Sequence, residues 1–108
     1  MSLYRFKSRE TGDLVMLAPT GERILQILGK DPSGAGIIRP EDMPGAIEAL
    51  RTAVLAEEAE HQRARDEAQA NGEPPPQFEA VSLRMRSAPF IDMQQRCAKA
   101  EVEVVWGV

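Results

Sequence analysis

The chain has 108 residues, 43% of them apolar, and a net charge of −4. That length holds one domain, and that apolar fraction exceeds what a disordered chain carries. An acidic chain without a basic cluster disfavours nucleic acid and anionic membrane as partners.

The charge is uneven. Residues 1–56 carry seven Lys/Arg and seven Asp/Glu, whereas residues 57–108 carry six against ten. Fourteen of the apolar residues are Ala, which bury little area. The expected core is therefore modest, and a homodimer would add to it. The one cysteine, Cys97, cannot form an internal disulfide. The opening "MSLYRFKSRETGD" has no apolar run suited to a signal peptide. No stretch approaches the ~20 apolar residues of a membrane helix, so the expected location is the cytoplasm.

In chain order, "LYRFK" alternates, with Tyr4 and Phe6 on one side, and "LVML" is a short apolar run. Gly12 between them suits a hairpin turn, which predicts a β-hairpin over 3–17. A short helix over about 20–28 follows, with Thr20 as N-cap, Glu22 at its positive end and Gly29 as its stop. Residues 30–42 read as a loop because Pro32, Gly34 and Gly36 interrupt it, with Ile37 and Ile38 plugging it onto the core.

Asp42 is positioned to cap a second helix, and Pro44 fits its first turn. Met43, Ile47, Leu50 and Val54 mark its buried face. Beyond Leu55 the large apolar residues vanish, yet propensity carries the helix to about 71. This second half is expected to stand in solvent or to pack through alanines on another copy. "NGEPPPQ" (71–77) stops it and forms a semi-rigid linker. A third helix is expected over about 82–99, with Pro89 kinking it or marking a later start near Ser87. "EVEVVW" (101–106) alternates as a half-buried strand. The order β-β-α-α-α-β predicts an α+β domain: a three-stranded antiparallel sheet with helices on one face, the last strand pairing with the first.

Candidate sites are few. "EEAEHQRARDEAQ" places Glu58 and His61 three apart on one helix face, the spacing of helical metal ligands, with Glu57 as a third donor. A di-iron centre needs a second Glu-x-x-His and further carboxylates. This chain has one histidine, so only a dimer would complete the set. The plain reading is a solvated face with i,i+4 pairs such as Arg63 with Glu67. Cys97 and His61 would be the only thiol–base pair, but Cys97 falls on an apolar face, where cysteine acts as a small hydrophobe. "GKDPSGAGIIR" is rich in glycine, but Asp31 stands where a phosphate-binding loop needs Ser or Thr, and the stretch follows a helix. Asp92 is assigned to the outer face of its helix, and Trp106 to the core or to an interface. No catalytic residue, metal or cofactor is expected.

The blocks "LYRFKS…TGDLVML", "ILGK", "GII.PEDMPGAI.AL", "VSLR.R..P.I.M" and "VVWGV" resemble a small bacterial family, domain of unknown function 1840. The likeness spans nearly the whole chain. Members of that family often carry Leu where this chain has Gln94. The resemblance implies a small cytoplasmic bacterial protein and assigns no catalytic or binding residue. Together these readings favour a non-enzymatic interaction or regulatory domain. The alternative is a small-molecule or metal site shared across a homodimer, with Glu58 and His61 as first suspects.

Overall fold

A computed structural model describes residues 3–108. The elements are β1 (Leu3–Phe6), β2 (Leu14–Leu17), α1 (Ala18–Ile27), β3 (Gly36–Ile38), α2 (Met43–Ala70), α3 (Leu83–Ala100) and β4 (Val104–Trp106). A single 3-10 turn, Pro40–Asp42, leads into α2. The architecture is α+β with three helices and short antiparallel strands.

The strands form two two-stranded sheets rather than one three-stranded sheet. β1 pairs with β2, with Leu3 opposite Leu17 and Arg5 opposite Val15. β3 pairs with β4, with Gly36 opposite Trp106 and Ile37 opposite Val105. The expected meeting of the last strand with the first is reduced to one bridge, Lys7 with Val105. Its two backbone hydrogen bonds measure 2.8 and 2.9 Å. The reason is the extra strand, β3, inside the stretch read as a loop. It takes one edge of β4, while β1 has only one residue left to offer the other edge. Ile38 buries as expected, but Ile37 points out and is 39% exposed.

Gly36 is required by this pairing. A Cβ there would enter the ring of Trp106, which lies across it. Trp106 is thereby pressed into the core with Phe6 and Phe90. The ring centroids are 5.7 Å apart for Phe6–Trp106 and 4.6 Å for Phe6–Phe90. Ile24, Leu25, Met43, Leu50 and Met93 fill the space around these rings.

Helix ends follow backbone rules more than the side chains first assigned to them. α1 begins at Ala18 after an extended Leu17, with Pro19 in its first turn. Thr20 is not its cap; its hydroxyl accepts from Arg86 of α3 at 2.8 Å. Asp42 sits in the 3-10 turn and makes no capping bond. Gly29, at φ 74°, does end α1 as expected: its N–H reaches Gln26 O and that of Lys30 reaches Leu25 O. Gly72 ends α2 in the same way. At α3 the left-handed position falls on Glu101, φ 59°, and the Val102 N–H turns back to Cys97 O. That turn consumes residues 101–103, so the final strand begins at Val104 and not at 101.

α3 begins at Leu83 and runs through Pro89, so the later start near Ser87 does not occur. Ser82 Oγ accepts the Met85 N–H at 3.2 Å and fixes the start. Pro89 is on the exposed side, where the carbonyl that loses its donor, that of Met85, can meet water.

α2 spans 28 residues, roughly 42 Å at 1.5 Å per residue. Its second half and the return segment 71–82 form an arm beyond the core, and the molecule measures 53 × 31 × 21 Å. The radius of gyration, 16.0 Å, exceeds the ~13 Å of a compact chain of this length.

Candidate functional site

The arm gathers the residues that first drew attention. Glu57 is only 17% exposed and lies where three elements meet. One carboxylate oxygen accepts from Arg23 of α1 at 2.9 Å, and the other accepts the Leu83 N–H of α3 at 2.9 Å. Glu57 thus caps a helix whose own sequence does not contain it, using one of the orphan donors at the α3 start. Burial pushes its pKa up, but the Leu83 N–H, the Arg23 guanidinium and His61 together hold it below the ordinary carboxylate value.

Glu58 is held by Arg84 in a two-pronged pair at 2.7 and 2.8 Å, which lowers its pKa and raises that of Arg84. Both side chains are largely exposed, so solvent screens the pair and it adds little to stability. His61 stacks on Phe78 of the return segment, with centroids 3.8 Å apart and planes 12° apart. Arg65 covers the same ring, 5.2 Å from its centroid. The Glu-x-x-His spacing does place both side chains on one face. What they hold is the chain returning from the triproline segment. Among the described residues no group of three or more His, Cys, Asp or Glu is placed to bind a metal ion.

Most of the half-helix does stand in solvent, with Arg63 bridging exposed Glu60 and Glu67 and Gln62 bonding Asp66. Glu57 and His61 depart from that expectation, because they face α1, α3 and the return segment.

Cys97 is fully buried, and its Sγ–H donates to Ser8 Oγ at 3.0 Å. It lies fourteen residues along α3 from Leu83, roughly 21 Å from the arm that holds His61. Thiol and imidazole do not meet. Asp92 is exposed and pairs with Arg96 at 3.1 Å. In the glycine-rich loop Asp31 accepts from the Ser33 N–H and hydroxyl, at 2.8 and 2.6 Å, and these bonds lower its pKa. Neither Gly34 nor Gly36 has positive φ, and the loop runs into β3 with its Pro32 carbonyl taken by Tyr4 OH.

Among the described residues, exposed apolar side chains gather at more than one place. One is a cleft of about 330 Å³ between α2 and α3, lined by Arg51, Val54, Leu55, Arg84, Ile91 and Asp92. Another is the outer face of the strands. Alternation along β1 and β2 sends Leu3, Arg5, Val15 and Leu17 outward. Leu3 is 56% exposed, Leu17 48% and Val15 42%. The Lys7–Val105 bridge carries this surface across to Ile37. Sequence reading set Tyr4 and Phe6 on one side of β1 and gave the other side no role, yet the signal was present: "LVML" has no polar residue to put outside.

No curated protein and no solved structure matches the chain. The family model for the domain of unknown function DUF1840 matches residues 2–106. With nearly its whole length covered, the chain belongs to the DUF1840 family.

Proposed function

We propose that this protein is a non-enzymatic interaction domain, acting in the cytoplasm, that binds through the outer face of its strands. The observation that carries the reading is the composition of that face. An antiparallel sheet with helices on one side ordinarily turns polar residues to water on the other. Here Leu3, Val15, Leu17, Ile37 and Val105 occupy outward positions, and four of them are at least 39% exposed. Exposed aliphatic side chains gathered on one face of a small domain, here beside Arg5 and Lys7, mark a place where another surface sits.

A binding role is also favoured over catalysis because the reactive side chains are dispersed and engaged. His61 stacks on Phe78, Glu58 pairs with Arg84, and Cys97 is in the core. The alternative of a metal site across a dimer would have to detach both of its suspects from these contacts first.

The test is retention of partners. Tagged protein and a Val15→Glu/Leu17→Glu variant are isolated gently, and what accompanies each is quantified by mass spectrometry. The reading predicts a stoichiometric companion, another protein or an untagged copy, that the variant loses while Leu55→Glu in the α2–α3 cleft keeps it. A companion held equally by the variant would refute it.

A further inference from the structure

We propose that the pocket between α1, α3 and the return segment binds the phosphate group of a small phosphate monoester, with Arg23, Arg86 and Thr20 as its donors. The site shares no residue with the strand face and goes beyond the reading made of that face.

The pocket holds about 230 Å³. It is lined by Thr20, Arg23 and Ile24 of α1, Leu83 and Arg86 of α3, and Glu79 of the return segment. Ile24 and Leu83 are buried and give it an apolar wall. What the pocket offers a ligand is hydrogen-bond donors, since a guanidinium carries five N–H groups. Among the described residues, the Arg86 side chain makes one hydrogen bond, to the Thr20 hydroxyl at 2.8 Å. Arg23 likewise makes one, to Glu57 at 2.9 Å. Thr20 accepts from Arg86, which leaves its own hydroxyl hydrogen to donate. The one carboxylate lining the pocket is that of Glu79. It stands 3.9 Å from Arg86 Nη2, too far for a hydrogen bond, and its side chain is 76% exposed. A concave site with spare donors and one loosely held acid suits a ligand rich in acceptors and negative charge.

The arrangement favours phosphate over carboxylate. The donors come from two helices, as two planar guanidinium groups and a hydroxyl. A carboxylate presents two oxygens in one plane. A phosphate monoester presents three, tetrahedrally, with a charge of about −1.5 to −2 at pH 7. Neither α1 nor α3 has an acidic residue in its first turn, so their positive ends add to the attraction. The volume lies below the range of about 300–1,000 Å³ typical of drug-sized ligands, which sets the rest of the molecule as small. Glu79 occupies the mouth in the ligand's absence and swings aside for it.

An NMR titration of the full chain tests this, with inorganic phosphate and glycerol 3-phosphate each raised to about 10 mM at constant ionic strength. The amide signals of Thr20, Arg23, Leu83 and Arg86 should shift and saturate, while those of Arg51 and Asp92 in the α2–α3 cleft stay fixed. Arg86→Gln should weaken binding by about tenfold or more, and Arg51→Gln should leave it unchanged. Glu79→Gln, a change at an exposed side chain, should tighten binding several-fold. If Arg86→Gln does not fold, Glu79→Gln decides alone. Shifts that never saturate, or a Glu79→Gln variant that binds no tighter than wild type, overturn the proposal. Acetate that binds as tightly as phosphate overturns the choice of phosphate.

Discussion

Replacing Gln94 with Leu should stabilise this protein. Gln94 is fully buried at the centre of the α3 face that enters the core, and among the described residues neither its amide oxygen nor its amide nitrogen has a hydrogen-bond partner. Each buried polar group left unpaired costs about 1–3 kcal/mol. Leu removes both and adds apolar contact, but its branch must be accommodated by a packed core, which takes back about 1 kcal/mol. The net gain is about 2 kcal/mol. For a domain of this size that raises Tm by roughly 8–16 °C, at about 4–8 °C per kcal/mol. Urea unfolding followed by Trp106 fluorescence reads it directly, because Trp106 is the only tryptophan and is buried. The midpoint should rise with no change in slope. Gln94→Met, closer in shape, guards against strain from the branch. If both variants are less stable than wild type by about 1 kcal/mol or more, the amide is bonded in solution and the reasoning fails.

Four further outcomes are expected. Glu57→Gln should lower stability at pH 7 by about 1.5–3 kcal/mol, because charge-assisted bonds to Leu83 N–H and Arg23 are lost. Since the folded pKa lies below the ordinary value of 4.5, this stabilisation is present above that value and fades as pH falls through the lower, folded one; wild type and variant should converge there in acid-unfolding curves. Gly36→Ala should cost more than about 2 kcal/mol by forcing Trp106 aside, visible as altered Trp106 emission as well as a lower midpoint. Glu101→Gly should add about 1 kcal/mol by relieving a left-handed non-glycine residue, measured by thermal melting. His61→Ala should lose about 0.5–1.5 kcal/mol with the Phe78 stack, and added zinc should leave both melting curves in place. A zinc-dependent rise confined to wild type would return the metal reading to contention.

Periodicity made the three helices and the hairpin legible, because each buries a face through local spacing. Met43, Ile47, Leu50 and Val54 are buried as their spacing required. β3 was hidden because three residues, Gly36–Ile38, sit among Pro32, Gly34 and Pro40, and turn signals outweigh so short a run. The late start of β4 was hidden because Glu101 and Val102 fit an alternating pattern while serving as a helix stop. The role of Glu57 had no local signature at all: its partners lie 34 residues before it and 26 after it. The same holds for His61, whose partner Phe78 is reached only after the chain has turned through three prolines. By contrast, the oddity of Gln94 was readable twice, as a polar residue on an apolar helix face and as a departure from the family pattern.

The measurement that bears most directly on a binding strand face is a methyl NMR titration of isotope-labelled protein with the companion that the tagged protein retains. As association proceeds, the methyl signals of Leu3, Val15, Leu17, Ile37 and Val105 should move together while those of Leu55 and Met85 stay still. Movement of Leu55 and Met85 with the strand methyls fixed would place the contact on the helices and contradict the account.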